Sequence, residues 1–133
     1  MLLDELGLYL HNAGIGALGT TLVRGPLPLE TPGSPDALTA LIEVPGMAPT
    51  RSHDGTTYEQ PVVQVLTRGN PHAYEATRMQ AQQAWDALDG LSNQVLSGVL
   101  YLWIQALQSP WWLKTDDSWR PCIVFSIRVA RAL

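Results

Sequence analysis

The chain changes period once, and that change limits the folds open to it. PVVQVLTRGN, residues 61–70, sets β-branched Val62, Val63 and Val65 in a short apolar run closed by Gly69, the pattern of a central strand. From Asn70 the spacing becomes helical. Asn70 is placed to cap, and Pro71 takes the first helical position, where a missing N–H costs nothing. Ala73, Thr77, Ala81, Ala84, Trp85 and Leu88 then fall on one face before Gly90 stops the helix. Small alanines on that face let the helix lie close to a sheet, with Trp85 and Leu88 supplying most of the buried area.

The remaining elements are read around this unit. Leu2, Leu3, Leu6 and Leu10, with Asp4 and Glu5 in the first turn, give a short amphipathic N-terminal helix. GIGALG at 14–19 fits the glycine spacing of a dinucleotide-binding loop, but a phosphate cradle needs a strand before it and a helix after it. Pro26, Pro28, Pro32 and Pro35 forbid the helix. The glycines therefore end the first helix and turn the chain into a strand at 20–24. ALTALIEV at 37–44 alternates as a strand. PGMAPTRSHDGTTYEQ, about 45–60, is rich in turn formers without a period and is expected to be a long loop serving as a contact arm. Residues 91–98 are expected to be a connection with some helical turn. VLYLWIQALQ at 99–108 reads as a strand with Leu100, Leu102 and Ile104 on one face and Tyr101 and Trp103 on the other. SPWWLKTDDSWRP reads as a loop or hairpin end. In the last strand, Ile123, Phe125, Ile127 and Val129 alternate against Val124, Ser126, Arg128 and Ala130. The expected fold is α+β, one domain over 1–133, with a mainly antiparallel sheet of about four to five strands. One long helix packs across it and the short N-terminal helix accompanies it.

Composition narrows the function. Twelve acids against eight bases leave a net charge of −4, with no basic field to hold nucleic acid by sequence. The single cysteine, Cys122, can form no internal disulfide; it sits in an apolar strand pattern and is expected to be a buried thiol in a chain suited to a reducing cytosol. The first residues carry no basic leader, and VLSGVLYLWIQAL is interrupted and too short to cross a bilayer, so a soluble chain without membrane association is expected.

No catalytic set passes its context test. His11, His53 and His72 lack metal-ligand spacing. Asp116 and Asp117 are adjacent loop acids, read as solvated, and Ser52-His53-Asp54 is read as a turn because triads assemble in space. No enzyme, cofactor or metal is expected. Arg24, Arg51, Arg68, Arg128 and Arg131 lie in or beside strands or in the expected arm, and Trp111, Trp112 and Trp119 lie in an expected loop. Arginine and tryptophan are both enriched in interface hot spots, so these eight are the candidate assembly residues. For the arginines the alternative of an ordinary solvated rim charge stands beside it.

Three stretches carry a resemblance. Pro61-Val-Val-Gln64-Val-Leu-Thr-Arg68-Gly69, then Tyr74-Glu75-Ala76, then Trp85-Asp-Ala-Leu88-Asp-Gly90, is similar to the small tail terminator proteins of long-tailed bacteriophages, often called minor capsid proteins. The ending, Asp116-Asp117-Ser-Trp119-Arg120-Pro and Phe125-Ser126-Ile-Arg128-Val129, resembles the last two strands of that family. The resemblance covers about half the chain, chiefly 61–90 and 110–131. It implies a virion structural protein that forms a homo-oligomeric ring, typically a hexamer, at the head-proximal end of the tail. The implied partners are the tail tube protein and the head connector or stopper protein, with assembly in the host cytoplasm and DNA passing through unread. Six copies at −4 would carry about −24, a field that repels phosphate in such a passage. A head-completion or stopper role in the neck and a small cytosolic ligand-binding α+β domain are the alternatives.

Overall fold

The strict alternation of Ile123, Phe125, Ile127 and Val129 places the last strand at the centre of the molecule, and every other element is positioned from it. The computed structural model describes residues 2–25, 35–51 and 57–132, with backbone alone at 47–51. In chain order the elements are α1 (Leu2–Asn12), β1 (Leu22–Arg24), β2 (Leu38–Arg51), β3 (Thr57–Arg68), α2 (Tyr74–Leu88), β4 (Ser92–Leu96), β5 (Val99–Ala106), β6 (Trp111–Thr115) and β7 (Pro121–Ala132). They form a seven-stranded sheet in the order β1-β2-β3-β7-β5-β4, with β6 also on β7. Among the described strands, only the β1–β2 pair is parallel. One side of β7 pairs with β3. The other side is shared, β6 taking Pro121–Val124 and β5 taking Ile127–Arg131.

Both faces of this sheet are packed. Phe125, Ile127 and Val129 join Val63, Val65, Leu41 and Ile104 in the main core, closed by Leu2, Leu3, Leu6 and Leu10 of α1 and by Ala84 and Leu88 of α2. Each fully buried aliphatic side chain of this kind contributes roughly 1.5–3 kcal/mol. The opposite face carries a smaller cluster, Leu38, Ala40, Leu66 and Cys122. Cys122 is buried as its sequence context requires.

The α2 face is the expected one, with Thr77, Ala81, Ala84 and Leu88 buried. Trp85 is half-buried and covers the margin, its indole N–H donating to the Gln108 carbonyl at 3.1 Å. The helix begins later than expected, at Tyr74, with no side-chain cap. His72 is held at φ +62° and its N–H donates to the Trp119 carbonyl at 2.9 Å, so a long-range bond captures the segment that Asn70 was placed to cap. Close approach to the sheet depends on Gly69, where an added Cβ would collide with the Thr77 side chain.

The GIGALG stretch ends α1, as its flanks require. Gly14, at φ +83°, donates to the His11 carbonyl and Ile15 to the Leu10 carbonyl. This is the paired bonding of a Schellman stop, and Ile15 packs on the core beside it.

Five sequence expectations are corrected. The sheet has seven strands instead of four or five. The 45–60 stretch is largely strand, because β2 and β3 stay paired through Met47–Gln60, Thr50–Tyr58 and Arg51–Thr57. Two register shifts absorb Pro45 and Pro49 there, which is how a turn-rich sequence remains in a ladder. The expected Ser52-His53-Asp54 turn lies outside the described residues. Residues 92–96 form β4 because Ser97 (φ +50°) and Gly98 (φ +80°) make the two-residue turn that joins it to β5 as a hairpin. The WWLKT segment is likewise strand β6. In β5 a bulge between Tyr101 and Trp103 resets the alternation, so that Tyr101 and Ile104 enter the same core and the expected two-face division fails.

One polar cluster lies within this packing. Glu5 of α1 is 4% exposed. It accepts the Tyr101 hydroxyl at 2.7 Å and Arg131 Nε and Nη2 at 2.8 and 2.5 Å. Arg131 Nη1 also reaches Glu59 at 2.6 Å. The Arg131 bonds, against the upward push of burial and with help from Tyr101, hold the Glu5 carboxyl down at about 2. Burial and the bond to Glu5 push the Tyr101 phenol up. Four elements, α1, β3, β5 and β7, are thereby tied at one point.

Because the folded pKa of Glu5 lies below its ordinary 4.5, its stabilisation is complete above that value and is lost as pH falls toward about 2. The amount is on the order of 3 kcal/mol. Arg131→Leu should cost roughly 3–5 kcal/mol near neutrality. In urea melts its gap from the wild type should narrow on acidification; a gap independent of pH would show that the pair contributes nothing through charge. Gly69→Ala should cost about 1–3 kcal/mol by overpacking against Thr77. Adding Thr77→Ala should recover part of that loss, and no recovery would show that the helix does not lie where Gly69 puts it.

Candidate functional site

Helix α2 packs on β3, β5 and β7, and α1 on β1, β2 and β4. All five residues of β6 are exposed. A bulge after Trp112 breaks the alternation, so Trp111 lies beside Val124, Trp112 beside Ile123 and Lys114 beside Cys122. Trp111 is 44%, Trp112 51% and Leu113 38% exposed. Such side chains lose water only when another surface covers them. The indole N–H of Trp112 donates to Thr115 Oγ1 at 3.3 Å.

The turn after β6 is built on Asp116. Its carboxylate accepts the Ser118 and Arg120 N–H groups at 3.0 and 2.9 Å and Arg120 Nε at 2.8 Å. Burial pushes the Asp116 carboxyl up, and the bonds and charge of Arg120 outweigh it, leaving the group below its usual range. Arg120 is itself buried and also reaches Asp36 at 3.2 Å. The acid read as solvated is therefore the turn's internal scaffold, while Asp117 is exposed. This scaffold holds Trp119 at φ +63° and 64% exposed, stacked on His72 with centroids 5.6 Å apart. A non-glycine residue in that region costs free energy that the surrounding bonds must supply. His72, Tyr74, Thr115, Trp119 and Pro121 line a shallow depression of about 210 Å³ beside it.

The arginines divide differently from the expectation. Arg24 is exposed and ion-paired with Asp4 on α1. The Arg51 side chain lies outside the described residues. Arg68 is 5% exposed, its guanidinium donating to the Asp36 and Pro35 carbonyls at 2.9 Å each; it anchors the chain leading into β2 and offers no surface charge. Arg131 is likewise consumed in the Glu5 cluster. Arg128 is half-buried, flanked across the ladder by Val62 and Gln105, and its Nε is buried without a hydrogen-bond partner. The three tryptophans thus share one region of the molecule, whereas the arginines do not assemble into a site.

Several residues that the geometry singles out were not among the candidates read from the sequence. Glu5 carried one signal, a charge inside the leucine stripe of α1. Arg120 carried only its place in the ending that bears the family resemblance. Lys114 was marked only by being the sole lysine. No group of three or more His, Cys, Asp or Glu side chains able to hold a metal occurs among the described residues. Burial pushes the Cys122 thiol up, away from nucleophilic chemistry. No helix of the described residues is long and apolar enough to cross a membrane.

The whole chain has a counterpart among solved structures. A chain of a structure described as the virion of a native gene transfer agent particle superposes with a TM-score of 0.69, over 99% of this chain and 95% of that one, at 16% sequence identity. The likeness is one of fold. No curated protein is significantly similar to the chain. The family model described as bacteriophage tail terminator protein matches residues 9–132, from the second turn of α1 to the end of β7. On that match, which spans nearly every element, the chain belongs to the bacteriophage tail terminator protein family.

Proposed function

We propose that this chain is a structural protein of the virion that closes into a ring, a hexamer, on the head-proximal end of the tail tube. There it stops tube growth and presents its other surface to the head connector or stopper protein. It acts by shape and self-association and makes or breaks no covalent bond. The family match over residues 9–132 carries this reading, and the likeness to a chain of a virion particle supports it. The exposed tryptophans supply the physical means. A closing ring needs two different patches on each subunit, and aromatic side chains left in water at a fixed turn and on a short strand are suited to one of them. The net charge of −4 per copy suits a ring through which DNA slides without being held.

Deleting the gene in its phage should give over-long tails. Tails of normal length with heads that leak DNA would assign the chain to the stopper instead, and normal infectious particles would remove both roles. With the purified protein, light scattering or native mass measurement should find six-fold mass, either in solution or on tail tubes. Trp111→Ala with Trp112→Ala should change unfolding stability by no more than about 0.5–1 kcal/mol, because both rings are exposed. The same pair should abolish ring closure or tube capping. Unchanged assembly would discard the tryptophan surface as a contact.

A further inference from the structure

The chain has eight basic side chains, and one of them is a lysine, Lys114. Most of the described arginines are engaged inside the fold: Arg24 on Asp4, Arg68 on backbone carbonyls, Arg78 on Gln82, Arg120 on Asp116 and Asp36, and Arg131 on Glu5 and Glu59. Lys114 differs. It is exposed on β6, where its pairing with Cys122 puts it on the same sheet face as Trp111, which pairs with Val124, and among the described residues it forms no ion pair.

A complementary feature lies on the opposite side of the sheet. β1 covers β2 only along Thr39–Leu41, so from Ile42 onward no described strand lies outside β2. There the register shift after Val44 opens a notch of about 320 Å³ lined by Glu43, Val44, Gly46, Glu59, Gln60 and Pro61. Gly46 fixes this bulge, since an added Cβ would lie 2.5 Å from the Gln60 carbonyl oxygen. Two carboxylates face the notch. Glu59 is neutralised by Arg131, whereas Glu43 is exposed and forms no ion pair among the described residues. Pro45, also exposed, lacks the N–H that an added strand would require. Among the described residues this edge is thus unsuited to strand addition and leaves room for an inserted side chain.

We propose that Lys114 of one copy enters the Glu43 notch of the next, with Trp111, on the same face of β6, closing over Val44 and Pro45. Opposite charges, each without an ion-pair partner among the described residues, and apolar neighbours on both sides make the two patches complementary. They lie on opposite sides of one sheet, so the contact is heterologous and repeats from copy to copy until the rotation closes. This inference rests on the ring reading and names the surfaces that join its subunits.

The test uses the assembled full-length protein, in solution or on tail tubes, prepared from a mixture of isotopically light and heavy copies. Carbodiimide coupling should join Lys114 of one copy to Glu43 of another, and assembly should slow acetylation of Lys114 at least about tenfold. Lys114→Glu and Glu43→Lys should each weaken association by at least about tenfold, and the double reversal should recover it to within about threefold. Circular dichroism checks that each variant is folded. A ring in which Lys114 stays reactive, couples to a different protein, or is not rescued by the double reversal overturns the notch contact and leaves the ring standing. A chain that forms no ring in solution or on tubes overturns both.

Discussion

The structure depends on β7 being satisfied along both of its edges. Its twelve residues pair with β3 on one side, while the other side is divided between β6 and β5. Because side chains alternate across a strand, this one segment supplies Phe125, Ile127 and Val129 to the main core and Cys122 to the smaller cluster behind it. A central strand buried on both faces sets the register of everything beside it, since a slip of one residue would exchange the two cores. The division of its free edge also explains the exposure of β6. That strand gains its backbone hydrogen bonds from β7, yet all of its side chains are exposed.

The clamp around Arg131 adds specificity to this packing. Hydrophobic burial brings α1 against the sheet, but leucines alone tolerate sliding. A bidentate contact between Arg131 and Glu5, with Tyr101 as a third partner, has one geometry. The same guanidinium reaches Glu59 and so holds the base of the β2–β3 pair beside the bulge at Gly46. The notch on that edge is therefore tied to the core, and its shape is set before any partner arrives.

What could be read from the residues alone followed the strength of local pattern. β3, α2, β5 and β7 carry long periodic runs, and the sequence locates each of them. The N-terminal stop at Gly14 was legible because only one of its two meanings survives the prolines that follow. β4 and the far part of β2 were illegible, because Ser92–Leu96 is polar and residues 45–51 contain prolines; both are strands only through the ladder bonds they receive. The surface was legible by half. Tryptophans in a turn-like stretch pointed to exposure, and they are exposed. Arg68 and Arg131 gave the same signal as Arg24, yet their partners are the carbonyls of residues 35 and 36 and a carboxylate 126 positions away, which no local pattern reveals.

That last separation has a consequence for how the protein is made. Ribosomes deliver a chain in order, and the strand that occupies the middle of this sheet is delivered after every strand that flanks it. Until it emerges, β3 and β5 have no neighbour on the edges that β7 will fill, and the leucine face of α1 has no clamp. Sheet closure is therefore a late and largely non-local event, slow by the measure of sequence separation. The interval before it is the one in which unpaired strands are most open to trapping by another chain.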